Sequence, residues 1–551
     1  MKAIFKPYAI AAGILTNILT NIPVYAANKV DLIYGPFNFP VSVQSLETFA
    51  KEGKVKPDVA FFINRLTPQQ KKQLSAFLDT PYPISSIMLS RLSHTYSGHR
   101  VLSFVGEVIQ LPGGRSGYYG IRAAIVQAAA DSKGLTVLNV LQKFPTDVQI
   151  DVRKGKERIQ EAKNLALSTS VFVKQLSLMS ATNNNVKPII DSSKQPSFIH
   201  SQATQTAFYS PSYQLDLRQL GQLHTVKQTQ TFFDSKRNRK IIVDLYLPKT
   251  TQSQLPVIII SNGLGARRDR FEQLAHHLTS HGFAVVIPDH PRSNAQRQKD
   301  FYEGYYKESF DATEYIDRPL DITFVLDELE KLSSNQLNLK QIGIFGYSFG
   351  GTTALALAGA TINFNQLDQD CSEDKSIINI SIVHQCRALE LPRKTYLLKD
   401  NRIKAAYVFV PFGKSLYGKA GISQIDIPIF WQATDEDLIT PLLIEQTPAF
   451  SWLTTPDKYF SLAEKLPHTR IGLSIMNQLI ARKLPVDKLL QLTQTYLSAL
   501  NLAFFKVYIA QDEQYRPYLQ QSYADVLTEK PYNLLLVKSL QISPNSSVNS
   551  K

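Results

Sequence analysis

The sequence predicts an α/β protein, a mostly parallel sheet with helices on both faces, preceded by a small, mainly helical domain. Two observations carry the sheet. Continuous apolar runs at Pro256–Ile260 and Phe283–Pro288 flank the amphipathic stretch FEQLAHHLTSHG, and strands apolar on both faces belong to parallel sheets covered on both sides. The stretch KQIGIFGYSFGGTTALALAGA, Lys340 to Ala360, reads as strand, tight turn and helix. A third observation divides the chain: before about Asp151 the signals are helical, punctuated by Pro, Gly and Ser. At 551 residues and 44% hydrophobic content, the chain exceeds one ordinary domain and has material for a large core.

The first element is a leader. MKAIFKPYAIAAGILTNILTNIPVYAAN has two lysines, an apolar run from Ala9 to Leu19, and small residues at Val24 and Ala26. It reads as a signal peptide over residues 1–27, cut after Ala26 or Ala27; an uncleaved anchor is the alternative, although the run is short for a membrane span. The protein is therefore expected to be exported, to the periplasm or beyond. Cys371 and Cys386, the only two cysteines, then meet an oxidising compartment, and a disulfide is preferred over two free buried thiols. Two cysteines are too few for a zinc site. The net charge of +14 is spread along the chain; it suits peripheral contact with anionic lipid surfaces, and no nucleic-acid motif accompanies it.

Residues 28–153 form the expected helical domain. Thr67, Pro68 and Gln70 supply an N-cap, a first-turn proline and a third-position glutamine ahead of KKQLSAFL. Further segments run from Ile84 to Leu92, Val101 to Ile109 and Tyr118 to Ala130, ending in a short apolar segment near Val148 to Val152. His94 and His99 suggest no ligand set. Residues 154–215 read as a helix, Glu157 to Leu178, and a linker too polar to bury a core. The sheet domain spans 216–541. It opens with a hairpin, Val226 to Phe233 and Lys240 to Leu247. A helix from Asp311 to Lys331 follows, with Pro319 in its first turn. An insertion at about 363–400 holds both cysteines and is expected to cap the site. Strands are expected at Lys404 to Phe412, Ile425 to Ala433 and KYFSL, and helices at Lys488 to Ala510 and Tyr515 to Leu527 close the sheet's outer face. Residues 542–551 read as a disordered tail.

The chemistry centres on Ser348, flanked by Gly346 and Gly350 in the G-x-S-x-G pattern, whose turn forces the serine into strained backbone space and lifts its hydroxyl clear of the sheet. The loop Asn262 to Gly265 lies at another strand's carboxyl end, where such sheets bind ligands. Attack on an ester builds charge on oxygen. The amides of Phe349, next to the nucleophile, and of Leu264, in the early loop, are the candidate donors. Asp426 begins its strand and is excluded as the acid. Asp435 and Asp437 both qualify by position, and Asp437 is preferred because it precedes LITP. Of ten histidines only His384 and His468 follow Ser348, and only His468 follows both acids, as the chain order nucleophile, acid, base requires.

With these residues in hand, Leu217 to roughly Thr469 resembles the platelet-activating-factor acetylhydrolase-like and dienelactone-hydrolase-like branch of the α/β-hydrolases. The matching motifs are SNGLGARRDRF at Ser261–Phe271, PDHP at Pro288–Pro291, GYSFGG at Gly346–Gly351, and the Asp437 and His468 loops. The resemblance implies the α/β-hydrolase fold and cofactor-free serine-ester hydrolysis, with Ser348 as nucleophile and the Leu264 and Phe349 amides as oxyanion donors. Short-chain or oxidised phospholipids, or small acyl esters, are the implied substrates. Asn262 and Tyr347 depart from the family, standing where relatives often have histidine; they bear on substrate more than on chemistry. Asn28 to Arg153 resembles a domain of unknown function found ahead of such hydrolases in exported cyanobacterial proteins. Thioester, amide or polyester hydrolysis, and a non-catalytic envelope-binding protein, are the alternatives.

Overall fold

The computed structural model describes residues 26–181, 213–332, 336–372, 377–466, 468 and 485–540. The segment read as a signal peptide, up to residue 25, most of the polar linker and the C-terminal tail lie outside the described residues. The chain divides into two compact units, one ending at Gln160 and the other beginning at Glu161; the helix Val152–Ala181 runs through the division.

The first unit confirms the helix start at Thr67. Its hydroxyl accepts from the Gln70 amide at 3.2 Å and the Gln70 side chain accepts from the Thr67 amide at 2.9 Å, opening the helix Pro68–Asp79. The helix Tyr118–Ala130 also stands where its pattern placed it. Residues 28 to 151 are mainly helical, as expected, but a five-stranded sheet that the pattern did not disclose is built into them. Its strands are β1 (Lys29–Tyr34), β2 (Phe37–Ser42), β3 (Ile109–Leu111), β4 (Arg115–Ser116) and β5 (Val148–Asp151), in the order β2-β1-β5-β3-β4. The antiparallel register pairs Val30 with Val41, Leu32 with Phe39 and Tyr34 with Phe37, so apolar residues two apart share one face. That alternation outweighs helical propensity, and Gly35, at φ 59°, makes the turn. Val30, Ile121, Ala124, Phe144 and Val148 share a core.

The second unit is a nine-stranded sheet. Its strands are β6 (Thr225–Asp234), β7 (Arg239–Pro248), β8 (Leu255–Ser261), β9 (Ala284–Pro288), β10 (Leu337–Tyr347), β11 (Ile403–Phe409), β12 (Ile429–Thr434), β13 (Lys458–Ala463) and β14 (Leu534–Val537). They are ordered β14-β13-β12-β11-β10-β8-β9-β7-β6. The six from β13 to β9 are mutually parallel; the hairpin β6–β7 and the strand β14 join the edges antiparallel. Neighbours on a central strand, such as Ile258 and Ile259, are both fully buried, which is why these strands read as unbroken apolar runs. Pro319 lies inside the helix Glu314–Leu332 rather than in its first turn, because the amides of Ile316 and Asp317 already donate to the Thr313 carbonyl ahead of it. β14 went unread because a run as short as LLLV has no diagnostic period. Cys371 and Cys386 are joined in a disulfide within the insertion. Among the described residues no helix is long and apolar enough to cross a membrane.

Candidate active site

β10 ends at Tyr347, and the helix Phe349–Leu357 starts two residues on. Between them Ser348 adopts φ 53° and ψ −117°, a conformation that side chains rarely take. The flanking glycines are explained by contact. A Cβ on Gly346 would stand 2.2 Å from the Gly350 carbonyl oxygen, and one on Gly350 would stand 1.8 Å from that of Ser261 on β8. Only bare backbone lets strand, turn and helix approach so closely.

His468 Nε2 lies 3.0 Å from Ser348 Oγ, and its Nδ1 lies 2.6 Å from Asp437 Oδ2. Asp437 follows the end of β12 and is buried. Its carboxylate accepts from the amides of Ile439 and Thr440, both at 2.8 Å, and from the Thr440 hydroxyl at 2.6 Å. Burial alone would push this carboxyl up; the adjoining imidazole and these donors outweigh it and hold the group below the ordinary aspartate range. Asp435 is not brought to the histidine. It accepts from the Lys465 amide at 2.5 Å, and burial raises it to about 6, assisted by the charges of Glu436 and Glu464. His384 lies elsewhere, its ring 5.8 Å from that of Phe310 and pulled down to about 4 by burial. Tyr347 donates its hydroxyl to the His468 carbonyl at 2.8 Å.

The early loop passes beside the nucleophile: a Cβ on Gly263 would stand 3.4 Å from Ser348 Cβ and 3.0 Å from Tyr347 Cδ1. The Gly265 amide donates to the Ser293 carbonyl at 2.7 Å. The Asn262 carbonyl accepts from Arg318, whose guanidinium also donates to Ser293 Oγ at 2.8 Å and Thr353 Oγ1 at 3.1 Å. Sequence reasoning missed this arginine. A signal was present, since Glu314, Arg318 and Asp321 are spaced four and three apart on a helix otherwise rich in apolar residues and so share one face. Both acids pair with the buried Arg239, Glu314 at 2.8 Å and Asp321 at 2.6 Å.

Behind the early loop a second constellation is buried. Ser261 Oγ lies 3.1 Å from His290 Nε2, and His290 Nδ1 lies 3.3 Å from Asp321 Oδ2. The insertion reaches the acid loop, where the Ser381 amide donates to the Ile439 carbonyl at 2.8 Å and Asn379 donates to Glu445 at 2.7 Å. A cavity of about 900 Å³ adjoins the outer side of that loop, with Leu165, Val173, Leu438 and Leu442 among its lining residues.

Residues 26–151 match the family model described as alpha/beta hydrolase of unknown function (DUF1400), and residues 243–368 match the dienelactone hydrolase family. The first match covers the unit that holds none of Ser348, Asp437 and His468; the second runs from β7 through the elbow. Platelet-activating factor acetylhydrolase of the guinea pig, Cavia porcellus, is 26% identical over 146 residues, a stretch that covers 20% of this chain and 33% of that protein. The chain thus aligns with about a third of that relative's length.

Proposed function

Because the chain is an α/β-hydrolase of the dienelactone-hydrolase-like and platelet-activating-factor-acetylhydrolase-like branch, headed by a DUF1400 domain, we propose that it is an exported serine esterase. The observation that carries this reading is the strained Ser348, with His468 Nε2 at 3.0 Å and Asp437 at 2.6 Å behind the imidazole. Ser348 Oγ bonds to the ester carbonyl carbon while its proton passes to His468 Nε2. The carbonyl electron pair moves onto oxygen, which the Leu264 and Phe349 amides receive, each worth about 3 to 4 kcal/mol of barrier. Collapse expels the alkoxide, which takes the proton from His468. Water then repeats the sequence on the acyl-enzyme and releases the acid. Asp437 holds the tautomer with the proton on Nδ1 and stabilises the transient imidazolium.

For substrate, the reading favours short-chain or oxidised phospholipids or other small acyl esters. The similarity to the acetylhydrolase supports it. The test is labelling of the mature protein with a fluorophosphonate, wild type against Ser348→Ala, with turnover of nitrophenyl esters from acetate to laurate. Loss of label in the variant is expected, with the chain-length profile fixing the acyl preference. A folded wild type that takes no label and turns over no ester would leave the envelope-binding alternative.

A further inference from the structure

We infer that Arg318 is the positioning residue of the oxyanion site, one guanidinium holding the loop of the Leu264 amide and the residue of the Phe349 amide at once. The inference rests on the esterase reading above. Arg318 is 1% exposed. One nitrogen donates to the Asn262 carbonyl, two residues before Leu264. Another donates to Ser293 Oγ, and the Ser293 carbonyl takes the Gly265 amide, one residue after Leu264. The loop is therefore held on both sides of its donor by groups that meet at Arg318.

The second donor is held by the same side chain. The guanidinium carbon Cζ lies over the Phe349 ring, 4.6 Å from its centre, and Nε donates to Thr353 Oγ1, which itself donates to the Phe349 carbonyl at 2.9 Å. An arginine can do this because its planar fork offers donors in several fixed directions while its face stacks on an aromatic ring. A lysine has neither the fork nor the face. Carboxylates face the cations within the cluster: Ser293 Oγ donates onward to Glu314 at 2.5 Å, and Glu314, Asp317 and Asp321 stand against Arg318, Arg239 and Arg237. Arg318 touches neither nucleophile nor substrate. It acts by fixing the separation of two amides that must converge on one oxygen, where an error near 1 Å costs about 100-fold.

The test compares Arg318→Gln, Arg318→Lys and Thr353→Val with wild type in the full mature chain, measuring nitrophenyl acetate kinetics, phenylboronic acid affinity and thermal midpoint. The boronate forms a tetrahedral adduct on Ser348 that needs both amides. Arg318→Gln is expected to lower kcat about 100-fold with KM within twofold and to weaken the boronate by a similar factor. Arg318→Lys should recover part of the loss, and Thr353→Val should cost about fivefold in kcat. Unchanged kcat and boronate affinity in a folded Arg318→Gln, whatever its melting point, overturn the inference. If Arg318→Gln does not fold, unchanged values in both remaining variants do the same. A wild type that takes no fluorophosphonate label sinks the esterase reading instead.

Discussion

Ser348, His468 and Asp437 are joined by contacts of 3.0 and 2.6 Å, and Ser261, His290 and Asp321 by contacts of 3.1 and 3.3 Å. In both sets the imidazole stands between a hydroxyl and a carboxylate, with Nε2 toward the serine. The surroundings separate them. Among the described residues, Asp437 answers to His468 and to neutral donors on its own loop. Asp321 is shared with Arg239 in a bidentate pair and with Arg237 at 2.9 Å. His290 is buried beside Arg318, Arg239 and Arg237; burial first, and then those cations, hold it well below the usual imidazole range. A base must accept a proton, and His290 would do so among three guanidiniums. Ser261 ends a strand and is fully buried, whereas Ser348 is only partly buried, at a strained turn. The hydrogen-bond pattern alone is therefore silent about chemistry. What matters is whether the carboxylate is free to support the imidazolium.

The comparison can be broken at several points. The largest expected effect is at the nucleophile: Ser348→Ala should lower kcat roughly 10⁶-fold and abolish fluorophosphonate labelling. Next, Asp437→Asn should lower kcat about 10⁴-fold at neutral pH by stabilising the wrong tautomer, while Asp435→Asn, measured in parallel, should stay within a few-fold. An equal loss in both would mean that the acid had been misassigned. Asp321→Asn should act on stability, costing about 3 to 5 kcal/mol in urea unfolding, because it strands Arg239 without its bidentate partner.

The fourth effect is a pH dependence. Folding raises Asp435 from 3.8 to about 6, so the native state holds a proton that the unfolded chain has released. The associated stability is present below pH 4, is lost as pH rises toward 6, and changes no further above that. The loss amounts to about 3 kcal/mol. Asp435→Asn should flatten this slope, and a wild-type stability that instead rises between pH 4 and 6 would contradict it. The smallest effect is Ser261→Ala, with labelling retained and kcat within about fivefold; complete loss of label there would give the buried set a role in catalysis.

What the sequence disclosed follows from how local each signal is. The capping box at Thr67 and Gln70, the hairpin β6–β7 and the elbow at Ser348 are all set by residues within a few positions of each other, and all were legible. Chain order singled out His468 without any structure. The choice between Asp435 and Asp437 stayed open because both leave the same strand end, and only the fold shows which carboxylate meets the imidazole. The hairpin β1–β2 was missed although its alternation is plain in Val30, Leu32 and Tyr34, since helical punctuation over the following hundred residues set the reading for the whole domain. Arg318 was missed because its partners Asn262, Ser293 and Thr353 come from three separate stretches of chain.

The hydroxyl of Tyr347, resting on the His468 carbonyl, ties the base to the residue adjoining the nucleophile. A shift at the end of β10 therefore carries serine and imidazole along together, as a common-mode displacement, and the 3.0 Å gap between them is insulated from it. Motion of the acid loop enters on the far side of the ring, through Asp437 at 2.6 Å and the Thr440 hydroxyl at 3.3 Å from the same nitrogen. The site thus tolerates drift of the scaffold better than rotation of the imidazole, and a phenylalanine at position 347 would exchange the first kind of error for the second.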